Sequence, residues 1–520
     1  MSQKEKGLIG IVIFLASLYL LFPDAVMNTR SHNLDDASNY LLSARSLARG
    51  KGFGPEYVDG FIPMLNQTPL FSYLLVPVVS LFGFNFLALK LWMVFLAFLT
   101  SGACTLFFRK YLPSRVEALF ALALFISSPV IFSLSHDLLS EIPFIGFFLL
   151  AVCAWEDVLK GKGGVFLAGS AAFLAALAFY TRLVGIAIPL GAWFLWLHPS
   201  VRRKKSFGRL FFLSLCMAVL IFPSFYRSAT VKGEGGWLGH PAWFYFIYPN
   251  PEAAAQGAPG LVDLFVRIKN NLTWGMLQNI ALLLFAPFYF IREGAVSLVL
   301  SLPFVAFTLW RWAAASRRAP RLVEGIFLAW VLTLLLFTHG HALRYITPVL
   351  PFLILYLLDF AEKHVPKRWI APLAALFLGV SVLSTVVYAV DHRRDPYGTL
   401  VQREYVEAGM WARQHLPKDA TYFAAMPHRW QVVTEGRAYQ MKPETVALVL
   451  QGRGPGYLLT FRDPDEVSTY DLESVRFHHP SETLQVSRYV QAHPEGFSEV
   501  YRNQLFSLYK KKIPPKPEPF

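Results

Sequence analysis

The sequence predicts a mainly α, polytopic membrane protein with about eleven transmembrane helices, a first extracytoplasmic loop with interfacial helices, and a small C-terminal α/β soluble domain. Three observations predict it. Of 520 residues, 55% are hydrophobic and only 16% are charged, against roughly 25% charged in ordinary soluble domains. Apolar runs of about the length of a bilayer crossing recur as far as residue 390. From residue 391 onward the composition turns soluble.

The apolar runs fall near 7–24, 85–108, 115–133, 141–159, 163–180, 182–197, 209–227, 294–312, 322–338, 343–359 and 368–390. In lipid each must close its backbone hydrogen bonds within itself, which makes it a helix. The start, with Lys4 and Lys6 ahead of apolar 7–22, is built like a signal peptide. It lacks a small-residue cleavage site and many spans follow, so it reads as a retained first helix.

Net charge is +14, which by itself would suggest nucleic acid. The basic residues instead sit in short runs between apolar stretches, where the positive-inside rule places them, and no nucleic-acid partner is expected. With the N-terminus cytoplasmic, the loops holding Arg109 and Lys110, Lys160 and Lys162, Arg202 to Arg209, Arg311 to Arg321, and Lys363 to Arg368 all face the cytoplasm. That count treats 276–291 as an interfacial or re-entrant helix; a full crossing there would put the basic loop 311–321 outside. The protein is then integral to the cell membrane with its C-terminal domain extracytoplasmic. Cys104, Cys153 and Cys216 all lie in apolar stretches and offer neither a disulfide framework nor zinc spacing.

Three hydrophilic regions face outward. Segment 25–84 holds Asp35 and Asp36, a Gly/Pro-rich run at 50–55, and an amphipathic run at 69–82 that is too short to span and suits the interface. Segment 228–275 carries Trp237, Trp243, Tyr245 and Tyr248, which suit the headgroup layer or a sugar face. In 391–520, helix-like runs (401–416, 445–451, 482–491) alternate with strand-like ones (421–425, 457–461, 505–509). The expected division is a membrane domain at 1–390, an α/β domain at 391–509, and a basic, proline-rich, disordered tail at 510–520.

Chemistry-bearing residues gather on the outer side. Asp35 and Asp36 repel one another, and partial desolvation would suit one of them to general-base work; a metal would instead hold both ionised. The alternative is that Asp36 caps the helix-like run 37–48. His136, Asp137 and Glu141 precede an apolar run and either line the cavity of the first-loop acids or cap that helix, with Pro143 in its first turn. Arg182 and Arg344 lie beside apolar helix on the side that positive-inside bias leaves poor in cations. A guanidinium there matches phosphate bidentately, or else snorkels to the interface.

In order along the chain, these pieces are Asp36-x-x-x-Tyr40-x-x-x-Ala44-Arg45-x-Leu47-Ala48-x-Gly50-x-Gly52-Phe53, Thr68-Pro69-Leu70, Leu139-Ser140-Glu141-Ile142-Pro143-Phe144, Tyr180-Thr181-Arg182 and Arg344-Tyr345-x-x-Pro348-x-x-Pro351. The set resembles the polytopic GT-C glycosyltransferases, the superfamily of lipid-phosphosugar-dependent enzymes that includes protein O-mannosyltransferases and the aminoarabinose transferase of lipid A. The resemblance implies an inverting transferase that takes a sugar from a polyprenyl-phosphate donor to a lipid, glycan or protein acceptor. It implies Asp36, four residues before Tyr40, as the catalytic base, with Asp35 the runner-up. It places Tyr40, His136, Asp137 and Glu141 near the substrates, and Arg182, Arg344 and Tyr345 at the donor phosphate. A divalent metal ion, held by Asp36 and Glu141, is the one cofactor it leaves open. Many relatives carry Lys-Pro-Pro or Tyr-Pro-Pro before the interfacial helix, whereas this chain reads Gln67-Thr68-Pro69.

The alternative from another class is a transporter or flippase of a lipid-linked or anionic substrate. Transporters carry ionisable residues and broken helices near the bilayer midplane, often in internal repeats. Here the charges gather at helix ends and no repeat is evident, which favours an enzyme. A membrane-anchored sensor with 391–520 as its receptor domain does not explain so many spans.

Overall fold

The computed structural model describes residues 3–23, 34–57, 60–199, 204–231, 260–272, 283, 295–318, 320–337, 343–394, 400–424, 427–439, 456–462 and 480–512. Apart from Leu283, the run 276–291 lies outside them, as do Trp237, Trp243, Tyr245, Tyr248 and the run 445–451. The chain divides into two compact units. One comprises Met1–Pro23, Leu65–Phe71 and Lys90–Asp391; the other comprises Asp24–Met64, Ser72–Leu89 and His392–Phe520.

The first unit is helical. Among the described residues, five helices are long and apolar enough to cross a membrane: Phe86–Tyr111, Glu141–Leu159, Phe207–Thr230, Arg344–His364 and Lys367–Asp391. Arg115–Ile126 and Pro129–His136, bent by 61° at their junction, make a sixth if taken as one span. The sequence expectation of about eleven crossings is not reached by this measure. Val165–Thr181, Leu183–Leu197 and Leu322–Leu336 are apolar but short of a full crossing, and Gln3–Leu21 carries Lys4, Glu5 and Lys6 in its first turns.

The bend has a local cause. Pro129 lacks the amide that would continue the first helix, so the ladder breaks at Ser127 and Ser128. The Ser127 carbonyl is then satisfied from outside the helix, by the Ser381 hydroxyl at 2.9 Å and by Thr385. Both lie on Lys367–Arg394, so the break is sealed by a neighbouring helix as a lipid setting requires.

Small residues set the packing. Val165–Thr181 lies against Glu141–Leu159 and buries Ala168, Ala171, Ala172, Ala175 and Ala176. The Trp155 indole N–H donates to the Ala171 carbonyl at 2.9 Å across that contact. Ala187–Leu197 crosses Leu322–Leu336 at a pair of glycines. A Cβ on Gly325 would stand 2.1 Å from the Gly191 carbonyl oxygen, and one on Gly191 would stand 2.4 Å from the Ile326 Cα. No side chain fits either position, which is how the two backbones come so close.

The second unit holds the α/β fold. Strands β1 (Glu56–Tyr57) and β2 (Gly60–Phe61) form a small antiparallel hairpin. Strands β3 (Thr421–Phe423), β4 (Arg437–Tyr439), β5 (Tyr457–Phe461), β6 (Phe497–Arg502) and β7 (Phe506–Lys511) form one sheet in the order β4-β3-β5-β7-β6. β3 runs parallel to β4 and β5, whereas β7 is antiparallel to β5 and β6. Trp430, Tyr405, Tyr422, Phe461 and Phe506 form its core with Leu400–His415, Pro427–Thr434 and Pro480–Ala492 around them. The strand-like sequence runs correspond to β3, β5 and β7; β4 and β6 are additional. β7 continues to Lys511, with Lys510 paired to Ser498 and Tyr457, so the ordered domain extends past residue 509 into what reads as a basic tail. Strand pairing, which composition does not register, holds those lysines.

The same unit contains the first-loop helix, Leu34–Ala48, packed on Pro427–Thr434. In the hairpin below it, burial alone would raise the Glu56 carboxyl; the hydrogen bond and charge of Lys51, with Arg49 and Arg45, outweigh this and hold it below the usual carboxylate range.

Two outcomes follow from this packing. Gly325→Val should destabilise the protein by about 2 kcal/mol or more, seen as a lower unfolding midpoint in detergent, and an unchanged midpoint would contradict the close crossing. Glu56, depressed on folding, contributes stability that is fully present above about pH 4.3 and is lost as pH falls through its folded value. Acid titration of amide exchange at 51–61 should show that loss, and Glu56→Gln should flatten it.

Candidate functional site

A constellation of buried charge in the helical unit starts from a hairpin. Glu141–Leu159 and Val165–Thr181 run antiparallel, so the first residue of one meets the last of the other. Glu141 opens its helix with Pro143 in the first turn, and a carboxylate there suits the helix dipole. Arg182 caps the C-terminus of its helix in extended conformation, φ −151° and ψ 134°. The chain then turns through Leu183–Ile186, where Gly185 lets it fold back; a Cβ there would meet the Phe179 amide nitrogen at 2.5 Å. Arg344 and Tyr345 belong to the turn Leu343–Ile346, followed by Pro348 and Pro351 at the entry to Leu350–His364. The Trp330 indole N–H donates to the Tyr345 carbonyl at 3.3 Å, and the Phe337 and Tyr345 rings meet edge-on at 5.3 Å.

These elements bring together Glu141, Arg182, Arg344 and Tyr345, four of the residues singled out by the sequence. Arg182 Nη1 donates to Glu141 Oε1 at 2.5 Å and lies 3.2 Å from Ser140 Oγ. Arg344 Nε lies 3.9 Å from the same carboxylate oxygen. Its Nη2 donates to the Tyr345 hydroxyl at 3.1 Å. The Arg182 and Arg344 guanidinium carbons stand 5.2 Å and 5.0 Å from the Tyr345 ring centroid, so one aromatic ring serves both cations. Glu141 is fully buried, while Arg182 and Arg344 keep 14% and 17% of their side-chain surface. Among the described contacts, both cations reach the same carboxylate, and each keeps a small exposed edge. Among the described residues, Glu141 Oε2 has no hydrogen-bond partner.

The remaining predicted residues are placed as follows. His136 holds the Phe132 carbonyl at 2.8 Å by Nδ1 and the Tyr19 carbonyl at 3.1 Å by Nε2, with its ring 4.5 Å from Phe132. It links the broken span to the first helix. Asp137 accepts from Ser133 Oγ at 3.4 Å, and Ser133 in turn receives the Tyr388 hydroxyl at 2.8 Å. Asp36 belongs to the other unit. Its helix begins at Leu34, so Asp36 sits inside the first turn and is not the N-cap of a helix starting at Ala37. It is half-buried, Tyr40 one turn on is buried, and the side chain of Asp35 lies outside the described residues. Sequence reasoning missed Ser140 as a partner of Arg182; its place next to Glu141 was the available signal.

The metal expectation can be tested against these neighbours. Glu141 Oε1 is shared by two guanidiniums, and cations of that density repel a divalent ion. No group of three or more His, Cys, Asp or Glu capable of holding a metal occurs among the described residues. Glu141 therefore does not fit as a metal ligand in this arrangement.

No family model and no curated protein matches the chain by sequence. Solved structures do match it by fold. ArnT from Cupriavidus metallidurans bound to undecaprenyl phosphate aligns with TM-score 0.56 at 14% identity, over 96% of this chain and 97% of that chain. The Archaeoglobus fulgidus oligosaccharyltransferase in complex with Zn and sulfate aligns with TM-score 0.54 at 13% identity, over 94% of this chain and 71% of that chain. The arabinofuranosyltransferase AftD from Mycobacteria aligns with TM-score 0.50 at 14% identity, over 98% of this chain and 42% of that chain. All three are GT-C glycosyltransferases, and this chain has the GT-C fold of an integral membrane protein.

Removing one partner of a buried pair strands the other, at a cost of about 3–5 kcal/mol. Arg182→Ala should show that loss in thermal unfolding, and adding Glu141→Gln to it should recover part of the stability. Strictly additive effects of the two substitutions would show that the pair is not coupled.

Proposed function

We propose that this chain is a membrane glycosyltransferase of the GT-C type, transferring a sugar from a polyprenyl-phosphate donor to a hydroxyl of a lipid, glycan or protein acceptor on the extracytoplasmic face. The observation that carries the reading is the pair of guanidiniums, Arg182 and Arg344, gathered on Tyr345 and Glu141 in a chain of this fold. Support comes from the ligands of two fold neighbours: ArnT was captured with undecaprenyl phosphate, and the Archaeoglobus fulgidus AglB with a dolichol-phosphate and an inhibitory peptide.

In the proposed reaction the Asp36 carboxylate takes the proton of the acceptor hydroxyl, whose oxygen attacks the anomeric carbon. The bond from that carbon to the phosphate oxygen breaks, and the polyprenyl phosphate leaves from the opposite face, inverting the centre. Arg182 and Arg344 neutralise the negative charge that develops on the departing phosphate. Tyr345 fixes the two guanidinium planes, and Glu141 keeps the two cations together in the empty site. The orientation proposed has the N-terminus cytoplasmic and the C-terminal domain extracytoplasmic. The about eleven crossings proposed from the sequence include the short apolar helices as well as the long ones.

The test is transfer by purified protein in detergent from a polyprenyl-phosphate sugar. An enzyme works there, whereas a transporter or flippase needs a sealed bilayer. Asp36→Asn should lower kcat by about 10²–10⁴-fold with folding and insertion intact. Full activity in that variant would remove Asp36 from the mechanism.

A further inference from the structure

The unit that contains the first loop carries a second polar junction, built from segments far apart in sequence. Helix Leu34–Ala48, which bears Asp36, packs on helix Pro427–Thr434 of the α/β fold. Arg45 Nη2 donates to Gln431 Oε1 at 3.2 Å. Gln431 is buried, and its own amide donates to the Ala438 carbonyl of β4 at 3.1 Å, which aims its oxygen at Arg45. The Arg45 guanidinium also stands 5.0 Å over the ring of Phe84, just beyond the end of the interfacial helix Leu70–Phe82. Phe84 is itself held from the α/β fold: its N–H donates to Glu435 Oε1 at 3.3 Å, and the same oxygen receives Arg413 Nη2 at 2.7 Å.

Glu435 is an anomaly of its own. It follows the last residue of its helix at φ 58°, the position where a helix normally ends on glycine. Among the described residues it is the one non-glycine with positive φ, and the glycine stands one place later, at 436. A side chain held in a disfavoured backbone region points to work done by that side chain. The ion pair with Arg413 is too exposed to account for it, since pairs of that kind contribute little stability. The hydrogen bond to the Phe84 amide is what a glycine could not supply. Burial, and then Arg49 and Arg437, lower the Arg45 guanidinium to about 10, with Glu56 and Glu435 opposing.

We propose that Glu435 and Gln431 are positioning residues, through which the C-terminal α/β domain holds the Asp36 helix and the end of the interfacial helix in register for the reaction. The proposal rests on the glycosyltransferase reading for its catalytic consequence, and on geometry alone for the clamp. The α/β domain is then a brace for the catalytic loop.

The full-length protein in detergent tests this with Glu435→Gly and Glu435→Gln. Glycine relieves the backbone and removes the carboxylate, so the unfolding midpoint should hold or rise. A purely structural residue would leave the loop unaffected by such a change. The clamp instead requires that amides of 34–48 and 84–88 exchange on the order of tenfold faster in Glu435→Gly than in the wild type. Transfer should show kcat down on the order of tenfold with donor KM within about twofold, because orientation and not binding is lost. Glu435→Gln, which keeps an acceptor oxygen, should restore most of both. Wild-type exchange rates in Glu435→Gly overturn the clamp, and unchanged kcat overturns its catalytic role. If the wild type itself transfers no sugar, the functional reading fails, and exchange alone decides the clamp: acceleration supports it and wild-type rates overturn it.

Discussion

A carboxylate with no exposed surface, Glu141, organises the helical unit. In a low-dielectric interior an unpaired charge is prohibitive, so Glu141 is tenable only where cations reach it. That need ties together the start of Glu141–Leu159, the end of Val165–Thr181, and the turn at Leu343–Ile346. The alanine-lined contact between the two hairpin helices and the fold-back at Gly185 are what bring Arg182 to it.

The same helix ends in a second polar cluster. Asp157 pairs with Lys110 at 2.7 Å, Glu156 pairs with Lys160 at 2.5 Å, and Tyr111 donates to Glu156. Arg321 pairs with Glu324 at 2.8 Å and lies over the Tyr111 ring at 5.6 Å. Between the two ends, Glu141–Leu159 is filled by Ile142, Phe144, Phe148, Val152 and other buried apolar side chains. Charge confined to the two ends of this helix, with an apolar middle, is what a bilayer imposes.

The second unit solves a different problem. A short helix in a polar loop has little apolar surface with which to stabilise itself. Leu34–Ala48 obtains its packing from Pro427–Thr434, with Ala37, Tyr40, Leu41 and Ala44 buried. The segment that bears Asp36 is thus ordered by residues nearly four hundred positions downstream, 386 in the case of Arg45 and Gln431.

What was legible in the sequence follows from the range of the forces involved. Helices of the membrane part come from local apolarity and from the need to close backbone bonds within the segment, and residues such as Arg182 and Arg344 stood out because positive-inside bias leaves cations scarce at the helix ends opposite the basic loops. The β5 and β7 strands showed as runs of apolar residues. Short β4, the lysine-bearing end of β7, and the start of the first-loop helix at Leu34 did not, because pairing and packing set them rather than composition. Above all, nothing in a linear reading says that Arg182 and Arg344 share one carboxylate and one tyrosine ring, or that Glu435 reaches the amide of Phe84. Those facts are distances between side chains brought together by helix crossings, and a distance of that kind exists only once the chain has folded.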